Sequence, residues 1–137
     1  CMHMKGTPET MQQEPVYKNV VEEVLDFFIA KIDACKKAGI KDIIIDPGFG
    51  FGKTIEHNFQ LLKKLGVFSI TGKPILAGLS RKSSIYKTLG VTSADALNGT
   101  TVLNTMALMN GASILRVHDV KEAKEAVKLF NTYKKAP

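Results

Sequence analysis

The chain has no tryptophan, only two cysteines and three histidines among its 137 residues, and no apolar run near the roughly 20 residues that cross a bilayer. Each shortage excludes something. Cys1 and Cys35 lack metal-ligand spacing, and Cys35 falls within a helical pattern. Reduced thiols in a cytoplasmic protein are therefore expected, rather than a disulfide scaffold or a zinc module. No signal-peptide pattern opens the chain, which begins abruptly inside an apolar segment. There is also no basic block with interleaved aromatics. The net charge of +6 is spread as lysine along helical segments, which suits solvated helix faces and an anionic small molecule. Neither nucleic acid nor membrane is expected as a partner. With 45% hydrophobic residues, the chain is long enough for one core and short for two, so 1–137 reads as a single domain.

What is present centres on Asp42 to Thr54, DIIIDPGFGFGKT. Three consecutive isoleucines predict a strand buried on both faces, as in a parallel sheet. Asp46 closes that strand with a charge, and Pro47 ends the ladder. Gly48, Gly50 and Gly52 then alternate with Phe49 and Phe51, which reads as a loop shaped around a ligand. The other reading of Asp46 is an N-cap before a tight turn. Lys53-Thr54 after Gly52 mimics the end of a phosphate loop, but Pro47 stands where its first glycine belongs and has no N–H to offer.

Along the chain, Lys5-Gly6-Thr7-Pro8 predicts a turn and Glu9 to Glu14 a polar loop. Pro15 marks the start of a long helix carrying Val20, Val21, Val24, Leu25, Phe28, Ile29 and Ile32 at helical spacing, ended by Gly39. Thr54 caps a second helix with Phe59, Leu62 and Leu65 on its apolar face and Gly66 as its stop. Lys73 to Leu79 reads as a short buried strand, with Ser80 as N-cap of a helix from Arg81 to Leu89. Thr92-x-x-Asp95 opens a helix toward Asn110, Ala112 to Val117 is a strand, and Asp119 with Glu122 starts the last helix. Strand-helix alternation at about 34 residues per unit predicts four parallel strands with helical crossovers, half of a (β/α)₈ barrel.

Polar groups gather at the strand ends: Asp46, then Ser80-Arg81-Lys82, then Arg116 and His118-Asp119. Arg116 and His118 lie two apart on an extended segment and share a face, which suits a diphosphate clamp. The lesser alternative for Arg116 is a pair with a carboxylate on a neighbouring strand. Lys82 sits in a first helical turn, where the dipole disfavours cations; it serves a ligand or is simply solvated. His57 reads as a surface residue, and His3 alternates with Met2 and Met4.

MHMKGTP at Met2 to Pro8, DPGFGFGKT at Asp46 to Thr54, GLSRKS at Gly78 to Ser83 and RVHDV at Arg116 to Val120 together closely resemble the dihydropteroate synthase family, in order and spacing. The resemblance runs to about Tyr133. It implies a (β/α)₈ TIM barrel that condenses p-aminobenzoate with 6-hydroxymethyl-7,8-dihydropterin diphosphate, uses Mg²⁺ and is a sulfonamide target. By motif, Asp46 would take the amino and ring N–H edge of the pterin, with Met2 and Gly78 lining its pocket. Lys82 would bond the pterin ring, Phe51 and Ser80 would border the aminobenzoate, and Arg116 with His118 would hold the departing diphosphate.

The resemblance covers only the family's C-terminal half. It implies that the Mg²⁺ ligand and the other pterin-pocket residues belong to a missing N-terminal half, and that the isolated chain is inactive. Its expected partner is that half or another copy of itself. Two alternatives remain at this level: the pterin-binding module of a folate-dependent methyltransferase, and a non-catalytic assembly half. The first has no diphosphate to clamp, which Arg116 and His118 argue against.

Overall fold

The computed structural model describes residues 1–6 and 15–137, so the turn at Thr7-Pro8 and the loop from Glu9 to Glu14 lie outside the described residues. Helix α1 is Val20–Lys37, α2 Ile55–Lys63, α3 Ser83–Leu89, α4 Leu97–Met109 and α5 Val120–Lys135; the short strands are β1, Leu76–Ala77, and β2, Ile114–Leu115. β1 and β2 pair in parallel, Leu76 opposite Ile114 and Ala77 opposite Leu115. Single parallel bridges join Ile45 to Ile75 and Met2 to Asp46. Four parallel segments therefore stand side by side, but among the described residues regular ladder pairing is confined to β1 and β2. Pro47, which has no N–H to donate, ends the segment that carries Ile45 and Asp46.

The isoleucine run is buried on one face only, unlike the expectation. Ile43 and Ile45 enter the core, whereas Ile44 is 43% exposed and shares its face with Asp46. The covered face packs under the helices: Val24 and Phe28 of α1, Leu61 of α2, Phe68 and Ala107 join Ile45, Ile75, Ala77 and Leu79 in one core. Asp46, Gly78 and Arg116 stand on or beyond the opposite face.

Local chemistry moved several helix boundaries. Helix α1 begins after Asn19, not at Pro15, because the Asn19 carboxamide accepts from Val21 and Glu22 N–H. Thr54 caps α2 as expected, and His57 completes a capping box with it rather than standing free. Past α2 the chain tightens into a 3₁₀ helix, Leu65–Thr71, instead of stopping at Gly66. Thr92 bonds Asp95 in a turn, at 2.6 Å, and α4 starts two residues later at Leu97.

Candidate functional site

Pairing of the four segments brings the sequence-predicted residues to one end of the sheet. Asp46 is the most enclosed of the charged ones. Its Oδ1 accepts from the Gly48 N–H at 2.8 Å. Its Oδ2 stands 3.0 Å from Arg116 Nη1. That oxygen is buried yet accepts no aligned hydrogen bond, so the contact is one of charge and its lone pairs remain available. Arg116 thus takes the carboxylate-pairing option, but with Asp46, whose segment lies beyond β1. It reaches across because Gly78 has no side chain: a Cβ there would stand 2.6 Å from Nη2. Met2, bridged to Asp46, is 38% exposed beside it.

The loop after Asp46 is organised differently from the expectation of glycines shaped around a ligand. A Cβ on Gly48 would lie 1.8 Å from the His3 carbonyl oxygen, and one on Gly52 would lie 2.2 Å from that of Lys5. The loop therefore lies directly on the backbone of His3–Lys5. Phe49 anchors it in the core while Phe51 stays half-buried. Lys53, which the sequence offers only as a false phosphate-loop ending, is the organiser. Its buried ammonium donates to Gly48 O at 2.9 Å and Phe51 O at 3.0 Å, and meets His3 Nδ1 at 3.0 Å. Asn58 adds a second brace: Gly50 N–H donates to its Oδ1 at 2.8 Å, and its Nδ2 donates to Thr54 O at 2.7 Å. Neither residue is conspicuous in sequence, because a lysine or an asparagine beside a loop usually faces water.

The third cluster departs from expectation in its wiring. Helix α3 starts at Ser83 with Lys82 as its N-cap residue, and Arg81 sits in the left-handed region at φ 53°. Ser80 is therefore no helix cap; its hydroxyl accepts from the His118 N–H at 3.2 Å and meets His118 Nδ1 at 2.9 Å. Ser80 thus meets both the backbone and the ring of His118 and holds the imidazole by its Nδ1 edge. Lys82 donates to Phe49 O and holds its ammonium 4.6 Å above the Phe51 ring. Arg81 grips both oxygens of Asp119 at 2.9 Å, which takes Asp119 away from capping α5. Between these groups a cavity of about 130 Å³ is lined by Gly78, Ser80, Lys82, Arg116, Val117 and His118. Larger grooves of about 610 and 560 Å³ run along α5 and between α4 and α5, and of the small cavity's lining only Val117 reaches one of them.

Burial sets the protonation of this region. It pushes His3 down to about 4, with Lys53 and then Lys5 adding to the shift. It pushes Lys53 down to about 7 and Lys82 to about 8, against the pull of Asp46 on both. A neutral His3 Nδ1 is then an acceptor for the Lys53 ammonium. Since the folded state depresses the His3 pKa, its contribution is complete above pH 6.5 and is lost as the pH falls toward 4, where the unfolded imidazole binds a proton first. The expected loss is roughly 2–3 kcal/mol across that window. Urea midpoints taken from pH 7 to 4 should fall more steeply for the parent than for His3→Gln; identical slopes would refute the assignment.

Among known proteins, the family model described as "Pterin binding enzyme" matches residues 1–118. The chain is 46% identical over 130 residues to the dihydropteroate synthase of Escherichia coli (strain K12), covering 93% of this chain and 46% of that protein. It superposes with a TM-score of 0.96 and 40% identity on Yersinia pestis dihydropteroate synthase with a sulfonamide drug complex, over 99% of this chain and 50% of that one. The Xanthomonas albilineans dihydropteroate synthase in complex with 7,8-dihydropteroate matches at a TM-score of 0.90 and 38% identity, over 99% and 51%. The chain spans about half the length of the curated relatives it matches.

Proposed function

We propose, from the premise that this chain belongs to the pterin binding enzyme family, that it supplies half of a dihydropteroate synthase site. In this reading, residues 1–137 are one domain, the C-terminal half of a (β/α)₈ barrel. The whole barrel would join p-aminobenzoate to 6-hydroxymethyl-7,8-dihydropterin diphosphate. The carbon–oxygen bond to diphosphate breaks, a carbon–nitrogen bond forms to the arylamine, and the amine proton leaves to solvent. One observation carries the assignment: a buried carboxylate oxygen, Asp46 Oδ2, with no aligned donor, stands where cationic groups converge.

The chain's own residues have separate tasks. Asp46 accepts the paired N–H groups of the pterin edge, with Met2 and Gly78 against the ring. Arg116 turns from Asp46 to the departing diphosphate, joined by the imidazole of His118, which Ser80 holds by its Nδ1 edge. Lys82 adds positive charge between the two and, with Phe51, borders the aminobenzoate. Such a site acts by positioning and by stabilising charge as it develops on the leaving oxygen. Among the described residues no group of three His, Cys, Asp or Glu gathers as metal ligands would. The Mg²⁺ that this reading implies would neutralise charge on the diphosphate, with its protein ligand in the N-terminal half.

The open face carrying Met2, Ile44 and Asp46 would be covered by the other half of the barrel or by a second copy. Assayed alone, the chain is expected to form no dihydropteroate. Mixed with the N-terminal half of the Escherichia coli relative, it should form dihydropteroate at a measurable rate, and Arg116→Ala should abolish that rate. No product from the mixture, or full turnover by the chain alone, would overturn the reading.

A further inference from the structure

We propose that Cys1 and Cys35 form a dithiol site that small-molecule disulfides oxidise to an intramolecular bond between the edge segment of the sheet and the end of α1. The two sulfurs already lie 3.8 Å apart, and both thiols are free. Their backbones are held independently of each other. The Cys1 carbonyl accepts the Asp46 N–H at 2.8 Å, and His3 N–H donates back to Asp46 O at 2.9 Å, which fixes the Cys1 segment on both sides of Asp46. Cys35 sits near the end of α1, packs against the core, and its carbonyl accepts the Ile40 N–H at 2.9 Å. Closing the gap needs side-chain rotation and a small approach of the two segments, not a rearrangement of either element.

The chemistry is thiol–disulfide exchange with a low-molecular-weight disulfide of the glutathione class. The thiolate of one cysteine attacks a sulfur of the reagent, forming a mixed disulfide and expelling one thiolate. The other cysteine then attacks the protein-bound sulfur of that mixed disulfide, forming the intramolecular bond and expelling the second thiolate. Two cysteines are oxidised, one reagent disulfide is reduced to two thiols, and the two cysteine protons pass to those thiols. The proximity of the sulfurs makes the second attack intramolecular, so the mixed disulfide should not accumulate.

The bond would fasten α1 to the segment bracketing Asp46 and close a long loop in the unfolded chain, raising the thermal midpoint by roughly 5–10 °C. The test incubates the whole chain with oxidised glutathione and follows it by intact mass and non-reducing peptide mapping. The parent should lose two hydrogens and yield one linked peptide joining Cys1 to Cys35, with no retained glutathione. Cys35→Ser should instead trap glutathione on Cys1 as a stable adduct, and its midpoint should not rise. Stable glutathione adducts on the parent, disulfide-linked dimers, or untouched thiols would each overturn the proposal.

Discussion

Gly48→Ala is expected to destabilise the chain by about 3–5 kcal/mol, lowering its thermal midpoint by at least roughly 10 °C. Two costs add. Gly48 lies in the left-handed region at φ 69°, which costs an L side chain on the order of 1–2 kcal/mol. The larger cost is steric, since the added Cβ would stand 1.8 Å from the His3 carbonyl oxygen, a backbone atom with nowhere to rotate. The loop must lift from the His3–Lys5 backbone. That loosens the Gly48 N–H bond to Asp46 and the Lys53 bond to Gly48 O together. Gly72→Ala separates the two terms: its φ is 64°, with nothing within 4 Å of its Cβ position. That variant should lose only the conformational part, about 1 kcal/mol. Equal losses at the two sites in urea titrations would mean that the close approach carries no weight.

This contrast also marks what the sequence could reveal. The helices announced themselves through apolar spacing and end signals, and Val20, Val24, Phe28 and Ile32 are buried as that spacing implies. Asp46 stood out because a charge closes an isoleucine run, and its bond from the Gly48 N–H is the turn contact that the capping alternative named. The wiring was hidden. Local pattern ties Ser80 to a helix start and Asp119 to a cap, whereas both answer to partners 38 positions away, His118 and Arg81. Lys53 was hidden for a related reason: a buried lysine is legible only when three-dimensional neighbours supply the carbonyls that hold it. Ile44 shows the complementary failure. A run of three isoleucines does not say which faces are covered, and here one face carries the site.

Asp46→Asn should weaken pterin binding by roughly 30- to 4,000-fold, the equivalent of about 2–5 kcal/mol for a buried charge-assisted contact. The asparagine oxygen can keep the Gly48 N–H bond, so its amide nitrogen falls where Oδ2 now faces Arg116. A donor then meets the donors of the pterin edge and of the guanidinium alike. The carboxylate also supports its neighbours, because it pulls the Lys53 and Lys82 ammonium groups upward against burial. Its removal should push both further down, so a modest fall in midpoint is expected alongside an intact circular dichroism spectrum. Binding is to be read with 6-hydroxymethyl-7,8-dihydropterin on the chain combined with the N-terminal half of the Escherichia coli relative. Arg116→Ala serves as the comparison: it frees Oδ2 without removing the acceptor, so the unphosphorylated pterin should bind as well as to the parent or better. If Asp46→Asn retains parental affinity for that pterin, the carboxylate is only a brace for Gly48 and the pterin assignment falls.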